Sequence, residues 1–135
     1  MAMNKLSTLP EDALAHGVVT ASGGNHGLAT AHAAVMAGVR ATIFVPDNIA
    51  PYKADRLRSM GADLIIKGAI WNETNQYATA FAEETGAAYF HPFADPAVVA
   101  GQGTLALEIL GFAGAEAREG FAALTEKRAA SFVAP

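Results

Sequence analysis

Apolar residues along this chain gather in short, nearly continuous runs, separated by longer segments in which they recur at helical spacing. The runs are GVVTA (Gly17–Ala21), ATIFV (Ala41–Val45), DLIIK (Asp63–Lys67) and AAYFH (Ala87–His91). Runs without polar alternation are expected of strands covered on both faces. The intervening segments NHGLATAHAAVMAG, PYKADRLRSMG and WNETNQYATAFAEETG each close on a glycine, Gly38, Gly61 and Gly86, which suits the position just past a helix end. Strand and helix therefore alternate, which predicts right-handed βαβ units: an α/β fold with an open parallel four-stranded sheet and helices on both faces, in three αβα layers. A further helix is expected over PAVVAGQGTLALEIL (Pro96–Leu110), with Asp95 as N-cap and Pro96 in the first turn. Before the first strand, Ser7 or Thr8 is expected to cap a short helix starting near Pro10 and packing at the sheet edge. Residues 1–110 read as one small domain. Residues 111–135, rich in Ala, Glu and Arg, read as a helical or disordered tail.

Composition sharpens this picture. The chain has 135 residues, 52% hydrophobic and 16% charged, far from the profile of a disordered segment, and folding should bury roughly two-thirds of its extended surface. A net charge of −4 offers no footprint for a phosphate backbone or an anionic lipid surface, so nucleic acid is not an expected partner. Cysteine is absent, which excludes disulfides, thiolate metal sites and a cysteine nucleophile. His16 and His32 lack partners at metal-ligand spacing, so no metal site is expected. With no apolar leader and no membrane-length run, the chain reads as soluble and cytoplasmic. His91, just before Pro92, is expected to be a hydrogen-bonded structural residue, and Trp71 and Tyr77 fall at a spacing that fits a helix face on the sheet.

The chemistry concentrates in VVTASGGNHGLATAHAA (Val18–Ala34). A strand that ends in Ser22-Gly23-Gly24 and feeds a helix beginning near Asn25 leaves main-chain N–H groups pointing into the loop, where the helix dipole also favours negative charge. Gly23 and Gly24 would permit positive φ and close ligand approach, while Ser22 and Asn25 offer side-chain hydrogen bonds. A glycine-rich turn also serves simply to pack a helix tightly on a sheet. A nucleotide-binding, Rossmann-like reading is a near miss: Gly24 and Gly27 fit G-x-G-x-x-G, but Ser22 stands where the first glycine belongs.

Taken together, TASGGNHG and HPFADPAVVAGQGTLALEIL (His91–Leu110) resemble the small domain of the fold-type II pyridoxal-phosphate enzymes, in the branch of threonine and serine dehydratases and serine racemase. The resemblance covers most of Asn4–Leu110, including GVRATIFVPDNIAPYKADRLRSMGADLI. It implies that the Ser22–Gly27 turn receives the α-carboxylate of an amino acid through Ser22, Gly23, Gly24, Asn25 and His26, and that Asn25 also touches the ring of pyridoxal phosphate. It also implies strand order 3-2-1-4, which brings the loops 22–27 and 91–95 together at the topological switch point, with Phe93 lining the same cleft.

Two departures matter. Gly23 replaces the second serine of the racemase pattern, which argues for elimination over racemisation, since a racemase needs an acid or base on each face of the carbanion. In the family, the Schiff-base lysine lies in a Ser-Phe-Lys-x-Arg-Gly-Ala segment just ahead of an Asn-Lys-Leu like Asn4–Leu6, and Lys5, Lys53, Lys67 and Lys127 match no part of it. Neither Lys53 nor Lys67 is expected at the switch point. The expectation is thus a truncated or fragment form of a threonine/serine dehydratase, an ammonia-lyase that carries the substrate-carboxylate loop without the lysine and is inactive alone. The alternative is a non-catalytic module that binds a small carboxylate or assembles with itself. A homo-oligomer, or a cover supplied by residues 111–135, is expected over an apolar surface near Phe93 and Val98.

Overall fold

The computed structural model describes residues 2–112. The elements are α1 (Ala2–Thr8), α2 (Glu11–Leu14), β1 (Val18–Ala21), α3 (Asn25–Met36), β2 (Ala41–Val45), α4 (Pro51–Ser59), β3 (Asp63–Ile66), α5 (Trp71–Thr85), β4 (Ala88–Tyr89) and α6 (Pro96–Phe112). The chain divides into two compact units, residues 1–101 and 102–135, and the sheet belongs to the first. The expected tail lies, from residue 113 on, outside the described residues.

The four strands form one parallel sheet in the order β3-β2-β1-β4, with Val18 opposite both Ala41 and Ala88. The two central strands are buried throughout, which is why they read as unbroken apolar runs. On one face Val18, Ala41, Ile43 and Val45 join Ala31, Ala33 and Ala34 of α3 and Leu57 of α4 in the main core, with Leu6 of α1 and Phe90. On the other face Val19, Ala21 and Phe44 meet Ala78 of α5, with Phe81 and Ala82 packed around them. Full burial of side chains such as Ile43, Leu57 and Phe90 contributes about 1.5–3 kcal/mol each. The alanine face of α3 lets that helix sit close to the sheet. Gly38, Gly61 and Gly86 have φ values of 68°, 80° and 74° at the ends of their helices.

Several elements differ from the sequence expectation. A separate helix, α1, precedes Pro10, so Ser7 and Thr8 close a helix and do not open one: their hydroxyls donate back to the carbonyls of Asn4 and Lys5 at 2.9 and 2.8 Å. Pro10 is the N-cap of the one-turn α2, the short helix expected there, and the additional α1 lies against α3. Strand β4 is two residues long, not five. Tyr77 is exposed and Trp71 half-buried, because the inward line of α5 is Thr74, Ala78, Phe81 and Ala82. Trp71 continues that line one turn past the sheet, at its rim.

The start of α6 follows expectation in detail. Asp95 Oδ1 accepts hydrogen bonds from the N–H groups of Ala97 at 2.9 Å and Val98 at 3.4 Å. Its second oxygen meets the Lys5 ammonium at 2.8 Å, and Asn4 Nδ2 donates to Ala97 O at 2.7 Å, so α1 is tied to the first turn of α6. Val98 is turned inward and buried, contrary to the bare surface expected there; its neighbour Val99, about 100° further round the helix, is the exposed one. No helix among the described residues is long and apolar enough to cross a membrane.

Candidate functional site

The carboxyl ends of the strands and the amino ends of the helices that follow them share one rim of a parallel α/β sheet. At the centre of that rim β1 passes through Ser22 and Gly23 into α3, whose N-cap is Gly24. Ser22 N–H still donates to Phe44 O at 3.1 Å, which fixes where the loop leaves the sheet. Ser22 Oγ accepts a long hydrogen bond, 3.4 Å, from Gly24 N–H. The first N–H bonded within α3 is that of Leu28, to Gly24 O at 3.1 Å. The N–H groups of Asn25, His26 and Gly27 find no acceptor among the described residues, the usual condition of a helix N-terminus awaiting a cap.

Gly27 is required by packing: a Cβ there would stand 2.0 Å from Ser22 O. The helix thus begins directly over the loop. Gly24 has open space where a Cβ would go, with φ −114°, and Gly23 backs onto Ile49. Neither uses the positive φ that glycine permits; Gly24, as the N-cap, is extended, a conformation any residue can take. Their service is the absence of a side chain.

The side chains around the loop divide by direction. Asn25 is exposed and free to meet a ligand, whereas His26 is buried, its Nε2 3.4 Å from Phe90 O and its Nδ1 without a partner. Phe90 O is an acceptor only, so Nε2 carries the proton. Burial holds the His26 pKa below 6.5, against the opposing effect of the Phe90 hydrogen bond, so the imidazole is neutral. His26 can therefore offer a ligand its main-chain N–H, not a charge. Thr20 Oγ1 also donates to Phe90 O, at 2.5 Å. His91 Nδ1 accepts the N–H groups of Phe93 and Ala94 at 3.2 and 3.0 Å, a structural role as expected.

A groove of about 230 Å³ opens beside the loop, lined by Gly23, Gly24, Asn25 and Leu28 on one side and Tyr52, Lys53 and Arg56 of α4 on the other. Lys53 thus lines a groove on the α4 side of the loop, whereas the switch point, where the 22–27 and 91–95 loops meet, lies on the β4 side of β1. The first turn of α4 follows β2 directly and reaches the same rim. Phe93 is not part of that lining; its ring stands largely exposed against Trp71, centroids 5.1 Å apart, and against His91 at 4.6 Å. Trp71 Nε1 donates to Ala21 O at 2.9 Å. Lys53, Arg56 and Trp71 were missed as site residues, although the strand-helix alternation already puts the first turns of α4 and α5 at this rim.

Residues 1–133 match the family described as pyridoxal-phosphate dependent enzyme. The chain belongs to that family. Among curated relatives, the L-threonine ammonia-lyase of Geobacter sulfurreducens is 43% identical over 109 residues, 81% of this chain and 27% of that protein. The L-threonine ammonia-lyase of Thermotoga maritima is 44% identical over 109 residues, with the same two coverages. Maize serine racemase superposes with a TM-score of 0.80 at 33% identity, over 85% of this chain and 35% of that one. The processed form of threonine deaminase isoform 2 from Solanum lycopersicum gives 0.75 at 37% identity, over 80% and 32%. This member of the pyridoxal-phosphate-dependent enzymes therefore spans about a quarter to a third of the length of these relatives. Its described residues fit one side of such a cofactor and its amino acid: open main-chain donors at Asn25–Gly27, the exposed amide of Asn25 and the exposed ring of Phe93.

Proposed function

We propose that this segment is the carboxylate-holding part of a pyridoxal-phosphate-dependent threonine/serine ammonia-lyase. The observation that carries the reading is the set of three main-chain N–H groups, of Asn25, His26 and Gly27, open at the start of a twelve-residue helix beside a groove flanked by Lys53 and Arg56. Donors fixed by the backbone, with the helix dipole behind them, suit the planar α-carboxylate of serine or threonine. Ser22 and Asn25 add side-chain hydrogen bonds at either end of the turn, with Asn25 also at the ring of the cofactor and Phe93 at its border. Bound cofactor supplies an electron sink for the carbanion left when the α-proton departs. The part of this chain is orientation: it holds the carboxylate so that the Cα–H bond and the β-hydroxyl keep a fixed relation to the ring.

The same reading holds that this segment does not react by itself. Lys5 is engaged by Asp95, Lys67 Nζ rests 4.1 Å from the centre of the Tyr77 ring, and Lys53 is exposed, so none of the three stands in the enclosed setting that a reactive amine requires. Exposed Phe93 and Val99 further favour self-association, in which a second copy covers them. The test is equilibrium binding of L-threonine against L-threoninamide, which lacks the carboxylate. Binding of the acid alone, weakened by Asn25→Ala, supports the reading; equal binding of both compounds overturns it.

A further inference from the structure

The hydrogen-bond ladder between β1 and β4 stops in an unusual way. Ala88 N–H donates to Gly17 O at 2.9 Å and Phe90 N–H to Val19 O at 2.8 Å, so each second residue of β4 serves each second carbonyl of β1. The next pair would be residue 92 and Ala21 O. Residue 92 is proline, which has no N–H to give. The Ala21 carbonyl, one residue before the carboxylate loop, is met instead by the indole N–H of Trp71 at 2.9 Å. That bond comes from the first residue of α5, across the face of the sheet opposite α3.

The same indole is the surface on which the other rim loop rests. Its ring lies 5.1 Å from Phe93 and 5.9 Å from His91, and His91 in turn holds the N–H groups of Phe93 and Ala94. One side chain therefore contacts both loops of the switch point: the end of β1 by a hydrogen bond, and the 91–94 turn by ring packing. Without it, Ala21 O would lose its donor just where β4 has already left the sheet.

We propose that Trp71 is a positioning residue for the carboxylate loop, its N–H standing in for the ladder donor that Pro92 withholds. This deepens the carboxylate-binding function and rests on it. Proline at this position ends β4 early, which opens the rim between the two loops, and Trp71 keeps the opened rim at a fixed width.

The test separates the donor from the bulk of the ring. Trp71→Phe keeps an aromatic ring and loses the N–H; Trp71→His is smaller but can place its Nε2–H where the indole N–H lies. L-threonine affinity is expected to fall about tenfold in Trp71→Phe and to stay within about threefold of the parent in Trp71→His. Amide exchange at Ser22, read by NMR without ligand, should accelerate about tenfold in the Phe variant and much less in the His variant. The opposite ranking, with phenylalanine tolerated and histidine not, would assign Trp71 a space-filling role and overturn the proposal, as would an indole N–H that exchanges as fast as that of free tryptophan. If the parent chain binds no L-threonine, the carboxylate reading fails, and the exchange measurements still decide whether Trp71 holds the loop.

Discussion

Replacing Gly27 by alanine sets two effects of opposite sign against each other at the same atom. Gly27 is the third residue of α3, where alanine is intrinsically better than glycine by about 1 kcal/mol. The added Cβ, however, would lie 2.0 Å from Ser22 O and 3.1 Å from the Ser22 carbonyl carbon. Carbon normally approaches a carbonyl oxygen no closer than about 3.3 Å, so the start of α3 and the Ser22 peptide must separate by more than an ångström. Both are backbone, and Ser22 is held to Phe44, so no side chain can swing away to relieve the contact. Overpacking of this kind costs about 1–3 kcal/mol, with rigid neighbours at the upper end. The net loss is about 1–2 kcal/mol, which lowers Tm by roughly 5–15 °C for a domain of this size. Calorimetry or circular-dichroism melting measures it. The control is Gly24→Ala: with open space around that position, stability should change by less than about 1 kcal/mol, while the methyl group obstructs the ligand's approach and L-threonine binding is lost. A Gly27→Ala chain that melts with the parent, with unmoved amide resonances over 22–27, would refute the argument.

Asp95→Ala should cost about 2–3 kcal/mol in denaturant unfolding, through the lost cap and the stranded Lys5 ammonium, and Asp95→Asn about 1 kcal/mol less, since asparagine still caps. Both shifted acid-side groups act in one direction with pH. Burial keeps His26 from taking up a proton that the unfolded chain accepts below 6.5, so stability falls as pH drops from there toward the folded pKa; His26→Gln should flatten this part of the profile. Burial raises the Asp95 pKa, but the Lys5 hydrogen bond and the Ala97 and Val98 N–H groups outweigh it, so a further loss follows below 3.8 and disappears in Asp95→Asn. With pyridoxal phosphate added, borohydride should mark no single lysine stoichiometrically, and neither L-serine nor L-threonine should release ammonia; one fully labelled lysine, with labelling abolished by Asn25→Ala, would contradict the reading of a segment inactive alone. Sedimentation velocity should show self-association that Phe93→Ser weakens; a monomer at all concentrations would remove that part of the proposal.

Much of the architecture was legible in the chain because the physics is local. Central parallel strands buried on both faces announce themselves as apolar runs, and Gly38, Gly61 and Gly86 mark helix ends by their backbone alone. The Ser22–Gly27 turn was legible for the same reason: a strand ending in glycines before a helix leaves open donors whatever surrounds it. What escaped the sequence depended on tertiary neighbours. The length of β4 is decided by Pro92, which has no N–H to give the Ala21 carbonyl, a relation visible only once the register is known. Trp71 and Tyr77 share one helix and one residue class. Their fates differ because Trp71 lies on the inward line of α5, at the rim where its indole meets Ala21 O, whereas Tyr77 lies off that line, under Lys67. The motif names His26 as part of the turn, and only the fold shows that its ring turns inward to Phe90, which leaves its main-chain N–H as what it can offer a ligand.

The central claim, that the turn from Ser22 to Gly27 is a receptor for an amino-acid carboxylate, is tested most directly by amide chemical-shift mapping of the 15N-labelled chain during titration with L-threonine. The account predicts saturable shifts centred on Gly24, Asn25, His26 and Gly27, with smaller ones at Lys53 and Arg56. Saturable shifts elsewhere in the chain, with those four amides unmoved, would contradict it.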